Sequence, residues 1–328
     1  MLKIGLKLTK NPSKYFKLLN LLKMRVKDRK VVDFIFIKDN NNLKEVISKL
    51  DILVTYEISE ELFNFSFGNL KWIHLGVAGV DKSLSKSIRK SKTIITNSRG
   101  INSEPVSEYV IGMMLYLSKK FNLSERFKDN KIWNQWTLSK EMIQLNGKTV
   151  GIIGYGAIGK KIAKKCRAFN MKLIITKRSQ KEVEIKKSSD VLLPITELNY
   201  LLKNSDYIVI ACPLTNETVG LIGKSQLEIM KSTAFLINIA RGKIINEFDL
   251  INALKNDIIS GAALDVYENE PLDKKSKLFN LNNVFLSPHI SGNFPEYQYE
   301  VVNNFSENLN RYINNKYLKN RICKKKLY

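Results

Sequence analysis

The stretch KTVGIIGYGAIGKKIAKKC at residues 148–166 decides the fold of this chain. It opens with a short apolar run, Val150 to Ile153, of the kind that forms a strand buried in a parallel sheet. Apolar residues then recur from Ile158 to Cys166 at the spacing of an amphipathic helix. Three glycines in the pattern G-x-G-x-x-G lie between the two: Gly154, Gly156 and Gly159. A strand before this pattern and a helix after it predict a dinucleotide-binding turn.

Each glycine of such a turn has its own task. The first permits the tight turn, the second lets a pyrophosphate approach the backbone, and the third lets helix and strand pack closely. The N–H groups at the helix start, together with the helix dipole, attract the phosphates. We therefore predict a nucleotide site, rather than a merely structural turn, at these residues: Gly154, Tyr155, Gly156, Ala157, Ile158 and Gly159.

The next strand, MKLIIT at 171–176, indicates which nucleotide is bound. An NAD-binding chain usually ends this strand with Asp or Glu, which bonds the ribose hydroxyls and repels a 2′-phosphate. Here Lys177, Arg178 and Ser179 follow the strand, and two cations with a hydroxyl suit the 2′-phosphate of NADP. Adjacent basic residues also arise by chance in a chain with 54 Lys and Arg among 328 residues. We predict NADP as the preferred cofactor, with NAD as the alternative.

Three segments near the C-terminal end of the chain carry an arginine, a carboxylate and a histidine. They are NIARG at 238–242, LDVYENEP at 264–271 and SPHIS at 287–291. Arg241 can grip a carboxylate through two parallel N–H bonds, because its guanidinium is planar and always charged. His289 can move a proton near neutral pH, and Glu270 can hold its other ring nitrogen and fix the tautomer. This set suits a substrate with a carboxylate beside a carbonyl or hydroxyl carbon.

Ordinary structural roles compete with this interpretation. Arg241 on its own could be a surface charge, and Glu270 before Pro271 could be a loop residue. Of the two histidines, His74 in the apolar stretch WIHLGVAG fits a core position. His289 follows the strand-like NVFLS, and the end of a parallel strand faces the ligand crevice of such sheets. The spacing alone enforces no contact among the three residues.

The chain resembles the D-isomer-specific 2-hydroxyacid dehydrogenase family. Besides the glycine turn, the resemblance rests on LKWIHLGVAGVD at 70–81, TNSRGINSEPVSEYVIGMML at 96–115, DYIVIACPLTNETVGLIG at 206–223, MKSTAFLINIARGKIINEFDLINAL at 230–254, GAALDVYENEPL at 261–272 and NVFLSPHISG at 283–292. It implies hydride transfer between NADP(H) and a small 2-oxo or 2-hydroxy acid of the D-series, in the manner of a glyoxylate or hydroxypyruvate reductase. The family's catalytic Arg, Glu and His fall on Arg241, Glu270 and His289.

The resemblance also implies residues that spacing alone does not assign. Backbone amides of Ala78 and Gly79 would bind the substrate carboxylate. Asp265 and Ser291 match positions that contact the nicotinamide carboxamide. Further positions match strand ends that line the cofactor cleft: Cys212, Pro213, Thr218, Ile239 and Ala240.

Length and pattern predict two α/β domains. The front of the chain alternates strand-like runs (KIGLKL, VVDFIFI, DILVTY, LKWIHL) with helical stretches, as in a parallel sheet. We expect a Rossmann-type doubly wound domain at 97–289, inserted into a smaller flavodoxin-like substrate domain built from 1–96 and 290–328. The apolar helix after Pro105 should be buried, against the cofactor domain or at the interface of a homodimer.

Another functional class stays open, because the family includes transcriptional corepressors that sense a dinucleotide and keep the same Arg, Glu and His. The absence of long disordered tails favours the enzyme. Formate dehydrogenases resemble the chain too, but they carry Gln where Glu270 stands, so we do not expect formate as substrate.

Composition limits the partners. The formal charge of +23 comes from 54 basic and 31 acidic residues, but lysine is spread along the whole chain without a nucleic-acid-binding motif. We expect no nucleic-acid partner, and no metal site, because no zinc-ligand cluster is present. The three cysteines lack C-x-x-C pairing, and no apolar stretch is long enough to cross a bilayer. These features predict a soluble cytoplasmic protein without a membrane partner.

Overall fold

The computed structural model describes residues 1–28, 31–133, 135–185 and 190–325. The chain forms two structural units. Unit 1 comprises Met1–Asn102 and Phe294–Tyr328, and unit 2 comprises Ser103–Asn293. Both boundaries lie a few residues beyond those expected at 96/97 and 289/290.

Unit 1 contains a five-stranded sheet. Its strands are β1 (Leu2–Lys7), β2 (Val32–Phe36), β3 (Ile52–Thr55), β4 (Trp72–Leu75) and β5 (Ile94–Asn97). They pair in parallel in the order β2-β1-β3-β4-β5, which is the strand order of flavodoxin-like sheets. The four strands predicted from the front of the chain are confirmed.

Helices cover both faces of this sheet. They are α1 (Pro12–Arg25), α2 (Asn40–Val46), α3 (Glu60–Asn64), α4 (Lys86–Lys90) and α12 (Tyr297–Ile313). Leu22 of α1 and Phe305 of α12 pack in one core with Ile4 and Trp72. The opposite face packs against α2, α3 and α4 in a second core. Because α12 comes from the end of the chain, unit 1 is built from both ends of the sequence.

Unit 2 contains an eight-stranded sheet. Its strands are β6 (Thr149–Ile153), β7 (Lys172–Thr176), β8 (Glu184–Ile185), β9 (Val191–Leu193), β10 (Tyr207–Ile210), β11 (Phe235–Asn238), β12 (Gly261–Leu264) and β13 (Val284–Leu286). The order is β13-β12-β11-β10-β6-β7-β9-β8, and among the described residues of this sheet only the edge pair β8 and β9 is antiparallel. The order therefore reverses between β6 and β10, and such a switch point is where doubly wound sheets bind their ligands.

The helices of unit 2 lie on both faces of its sheet. They are α5 (Ser103–Ser118), α6 (Phe121–Asn130), α7 (Gln135–Ser139), α8 (Ala157–Ala168), α9 (Leu198–Asn204), α10 (Lys224–Glu228) and α11 (Glu247–Lys255). Alternate residues of β10 point to opposite faces, so that Ile208 packs with α9 and α11 while Val209 packs with α5 and α8. The expected doubly wound fold is confirmed.

The apolar helix predicted after Pro105 begins two residues earlier, at Ser103, because proline fits the first turn of a helix. Val106, Val110 and Met114 of this helix are buried in the core of unit 2, whereas Glu108 and Gly112 are exposed. The helix is thus buried on one face rather than all round.

In the described part of the chain, no helix combines the length and apolar character that a membrane crossing requires. The three cysteines, Cys166, Cys212 and Cys323, are free thiols.

Candidate active site

The glycine turn lies at the carboxyl end of β6, where the strand order of unit 2 reverses. Gly154 adopts φ +103°, a backbone conformation that residues other than glycine rarely adopt. Its N–H donates to Thr176 O at 3.1 Å. Gly156 is the N-cap of α8, so the first N–H groups of this helix open onto the turn. Strand, turn and helix are placed as the sequence predicts.

The room for a Cβ atom differs among the three glycines, and the difference distinguishes a packing role from a ligand-binding role. A Cβ on Gly159 would lie 2.1 Å from Gly154 O, and one on Gly154 would lie 2.8 Å from Cys212 N. These two positions need glycine for packing. A Cβ on Gly156 would meet no atom within 4 Å. The open space beside Gly156, next to the free N–H groups of α8, fits the pyrophosphate of a dinucleotide.

The end of β7 carries the residues predicted to choose the cofactor. Thr176 is buried, and Lys177, Arg178 and Ser179 are exposed. The backbone N–H of Lys177 donates to Leu193 O at 3.0 Å, and its carbonyl accepts from Gln180 N at 2.9 Å. These two bonds shape the turn that presents the basic side chains, and no acidic residue stands at positions 176–180 of this segment.

The loop after β10 holds further predicted cofactor residues. Thr218 Oγ1 donates to Pro213 O at 2.7 Å and accepts from Thr215 N at 2.8 Å, which ties the loop together. Cys212 precedes this loop, and burial raises the pKa of its thiol to about 12. The thiol therefore stays protonated at neutral pH and is a poor nucleophile, and its place beside the cofactor stays a prediction.

Arg241 follows β11 in a loop shaped by a buried amide. Asn238 is fully buried; its Nδ2 donates to Arg241 O at 3.0 Å, and its Oδ1 accepts from Ala240 N at 3.1 Å. Gly242 then packs so tightly that a Cβ there would lie 1.8 Å from the carbonyl carbon of Tyr267. The loop that carries Arg241 thus rests on the segment after β12 that leads to Glu270.

Glu270 and His289 form a hydrogen-bonded pair. His289 Nδ1 lies 2.9 Å from Glu270 Oε2, and the other oxygen, Oε1, accepts from Tyr267 N at 3.2 Å. The His289 side chain is 47 % exposed and that of Glu270 is 25 % exposed. A carboxylate on Nδ1 makes that nitrogen the donor, so Nε2 is the ring atom left for a substrate.

Asp265 supports the loop that carries His289. Its carboxylate is fully buried and accepts from Ser287 Oγ at 2.6 Å, Ile290 N at 2.8 Å and Ser291 N at 2.9 Å. Between these anchors, His289 adopts φ +55°. Three hydrogen bonds to one buried carboxylate hold the histidine in this left-handed conformation. The nicotinamide contact implied for Asp265 and Ser291 stays a prediction.

The segment that contains Ala78 and Gly79 belongs to unit 1 and follows β4. Gly76 N donates to Thr55 O at 2.8 Å, and Ser98 N donates to Val77 O at 3.1 Å. Asn97 Nδ2 also donates to Ala78 O. The backbone of this loop is therefore fixed by its neighbours in unit 1, and its role toward a substrate stays a prediction.

His74 lies in the core of unit 1, as its apolar surroundings in the sequence indicate. Its Nδ1 lies 2.8 Å from Thr96 Oγ1 and its Nε2 lies 3.1 Å from Ser98 Oγ. Burial lowers the pKa of His74 to about 3, so the ring is neutral. Both ring nitrogens are occupied, which assigns His74 a structural role.

The structure brings the three predicted catalytic residues to one edge of one sheet. Arg241, Glu270 and His289 follow β11, β12 and β13, which are adjacent and parallel. Sequence reasoning missed Asn238, Tyr267 and Ser287, whose contacts shape the loops. Asn238 stands three residues before Arg241 and offered a local signal, whereas Tyr267 and Ser287 offered none.

Comparisons with known proteins give the family. The family model "D-isomer specific 2-hydroxyacid dehydrogenase, NAD binding domain" matches residues 111–291. A glyoxylate reductase of Pyrococcus horikoshii is 34% identical over 259 residues, which cover 76% of this chain and 75% of that protein. A crystal structure of a D-isomer specific 2-hydroxyacid dehydrogenase family protein from Aeromonas salmonicida aligns with a TM-score of 0.84 and 29% identity, covering 98% of this chain and 99% of that one.

A further solved structure agrees in fold. It is an NADPH-dependent glyoxylate/hydroxypyruvate reductase from Sinorhizobium meliloti in complex with NADP, with a TM-score of 0.83, 21% identity and complete coverage of both chains at 100%. The chain belongs to the D-isomer specific 2-hydroxyacid dehydrogenase family. It is an NAD(P)-dependent oxidoreductase that acts on CH–OH donors, and the comparisons do not favour the corepressor alternative.

Proposed function

We propose that this protein reduces small 2-oxo acids, glyoxylate and hydroxypyruvate among them, to the corresponding 2-hydroxy acids with NADPH. The observation that carries the proposal is the pair formed by Glu270 Oε2 and His289 Nδ1 at 2.9 Å. The pair stands at the same sheet edge as Arg241, whose strand lies next to that of Glu270. A carboxylate-binding cation and a supported proton donor are the two groups that a 2-oxo acid requires.

The chain's own residues divide the work in the reductive direction. Arg241 holds the substrate carboxylate through its planar guanidinium and favours negative charge on the neighbouring oxygen. His289, protonated, hands the proton on Nε2 to the carbonyl oxygen as charge develops there. The dinucleotide, when bound, supplies the hydride.

Glu270 makes the histidine effective by position and charge. One carboxylate oxygen is bonded to the backbone of Tyr267 and the other to the imidazole, so the carboxylate cannot rotate without losing a bond. The negative charge stabilises the imidazolium that donates the proton. We therefore assign Glu270 as the positioning partner of His289.

The preference for NADPH rests on the turn after β7. Lys177 and Arg178 are exposed on this turn, and the acid that would repel a 2′-phosphate is absent from positions 176–180. Cationic side chains form strong charge-assisted hydrogen bonds with phosphate oxygens. NAD is the alternative cofactor, and NADH should support a slower reaction.

A relative of this chain supports the proposal that the substrate is small. The Pyrococcus horikoshii protein, at 34% identity, is named a glyoxylate reductase. We therefore place the preference among small 2-oxo acids.

A homodimer is part of the proposal. Unit 2 exposes large apolar side chains between residues 121 and 142, and Trp133 and Trp136 are 76% and 74% exposed. Apolar surface of this kind commonly marks a protein interface. We assign a second copy of this chain as the partner, and sedimentation equilibrium should give twice the mass of 37.7 kDa. A monomer at micromolar concentration would contradict the assignment.

The experiment that tests the function follows NADPH and NADH consumption by the purified protein. Glyoxylate, hydroxypyruvate, pyruvate and bulkier 2-oxo acids are offered in parallel. We expect turnover with the small acids and a higher kcat/KM with NADPH than with NADH. Absence of turnover with every acid, despite measurable NADPH binding, would refute the proposed reaction.

A further inference from the structure

A chain of hydroxyl groups leads from helix α5 to the loop of His289. The Tyr109 hydroxyl is hydrogen-bonded to Ser287 Oγ by a short contact, and Ser287 Oγ lies 2.6 Å from Asp265 Oδ1. Tyr109 is half-buried, while Ser287 and Asp265 are buried. All three residues belong to unit 2.

The direction of these bonds follows from the donors available. The Asp265 carboxylate already accepts two backbone N–H groups, from Ile290 and Ser291, so Ser287 must donate its single proton to it. The bond to Tyr109 then needs the tyrosine as donor. Burial raises the pKa of Tyr109, which keeps its proton in place at neutral pH. The order of donation is therefore Tyr109 to Ser287 to Asp265.

Several of the hydrogen bonds that hold the loop of His289 involve Ser287. Its carbonyl oxygen accepts from Tyr267 Oη at 2.9 Å and from His289 N at 3.0 Å. With its hydroxyl fixed by Tyr109 and Asp265, Ser287 is held at both its side chain and its backbone. His289 lies two residues further, at φ +55°, a conformation that depends on such support.

We propose that Tyr109 is a positioning residue for the reaction, acting through Ser287 and Asp265 to keep the His289 imidazole on Glu270. This inference rests on the proposed function, in which His289 gives up a proton. Tyr109 belongs to α5, which is remote in sequence, and it donates the hydrogen bond that the Ser287 hydroxyl accepts. Loss of its hydroxyl should let the Ser287 side chain turn and loosen the loop of His289.

The test compares Tyr109→Phe with a matched variant on the same helix. Tyr116→Phe is the control, because the Tyr116 ring packs on Phe285 of β13 and that packing survives loss of the hydroxyl. We expect Y109F to lower kcat about 3- to 30-fold, since one hydrogen bond is lost, with KM for NADPH within about twofold of wild type. Y116F should keep the wild-type kcat.

A double-mutant cycle with Ser287→Ala decides whether Tyr109 acts through Ser287. We expect S287A to lower kcat at least as much as Y109F, and the double variant to match S287A alone. Independent effects that multiply would overturn the proposal. So would a Y109F protein with a lower melting temperature and an unchanged kcat, because Tyr109 would then only tie α5 to β13.

A second measurement does not depend on turnover. The chain has two histidines, and His74 is buried with both ring nitrogens occupied, so imidazole ¹⁵N spectra contain one reference and one reporter. Neutral His289 should show a proton on Nδ1 in the wild type and a mixture of tautomers in Y109F. An unchanged His289 tautomer in Y109F would overturn the positioning role. A wild type without turnover would refute the proposed function, while these spectra would still test Tyr109.

Discussion

His289 Nδ1 lies 2.9 Å from Glu270 Oε2, although the two residues follow different strands of the unit 2 sheet. The contact requires the loops after β12 and β13 to be shaped together. Glu270 is held by Tyr267 N, and His289 by the hydrogen bonds of its neighbours to Asp265. This pair is the proton-donating unit of the proposed reaction.

The charge of Glu270 should matter more than its shape. In Glu270→Gln the amide oxygen can still accept from Nδ1, but no negative charge remains to stabilise the imidazolium. A charge-assisted bond is about twice as strong as a neutral one, so we expect kcat to fall about 10- to 100-fold. Steady-state kinetics with saturating NADPH measure this. The neighbouring exposed carboxylate offers the control Glu268→Gln, which should leave kcat unchanged. Equal kcat values for E270Q and wild type would show that the negative charge of Glu270 does not contribute to catalysis.

Cofactor choice should follow the basic turn after β7. The double variant Lys177→Asp with Arg178→Ala removes two cations and adds a carboxylate that repels the 2′-phosphate. We expect the ratio of kcat/KM for NADPH over NADH to fall at least about 10-fold, since even one contact to a charged group contributes roughly 1.5–3 kcal/mol. Lys172→Asp, an exposed site at the start of β7, is the control for charge alone. A ratio that does not move would show that other residues select the cofactor.

Two glycines of one turn should respond in opposite ways to an added methyl group. Gly156→Ala places the methyl group in open space where the pyrophosphate would lie, at a φ of −80° that alanine accepts. We expect about tenfold weaker NADPH binding, by titration calorimetry, with the melting temperature nearly unchanged. Gly159→Ala forces the methyl group against Gly154 O, and overpacking of this kind costs about 1–3 kcal/mol of stability. A stability loss in G156A that equals that in G159A would contradict this division.

The buried His74 should make stability depend on acid. Its folded-state pKa of about 3 lies below the unfolded value near 6.5, so between these values the unfolded chain binds more protons. This contribution is complete above about pH 6.5 and falls by about 1.4 kcal/mol per pH unit below it, or about 2 kcal/mol at pH 5. His74→Asn does not titrate, so its deficit in unfolding free energy should shrink by that amount between pH 7.5 and pH 5. Urea unfolding at both pH values measures the difference, and a constant deficit would disprove the assignment.

The glycine turn and the strands around it could be predicted because their signals are local. The turn needs glycine at Gly154 and Gly159 for steric reasons that the pattern already states, and a buried parallel strand appears as a continuous apolar run. The resemblance placed Arg241, Glu270 and His289, but the 2.9 Å contact came only from the fold.

The hydrogen bonds that hold the active-site loops could not be predicted from the sequence. Tyr109 and Ser287 are 178 residues apart, and nothing in either segment points to the other. The sequence does not predict the left-handed conformation of His289 either, because only a few per cent of non-glycine residues adopt it, although histidine is enriched among them. Such features follow from tertiary packing, in which a buried carboxylate and two hydroxyls offset the local cost of the loop.

NADPH oxidation with glyoxylate, measured side by side for the wild type and His289→Ala, tests whether His289 is the proton donor. General acid catalysis typically contributes about 10²- to 10⁴-fold, so kcat should fall by at least about 100-fold in H289A while NADPH affinity changes little. Near-normal turnover of glyoxylate by H289A would show that His289 is not the proton donor.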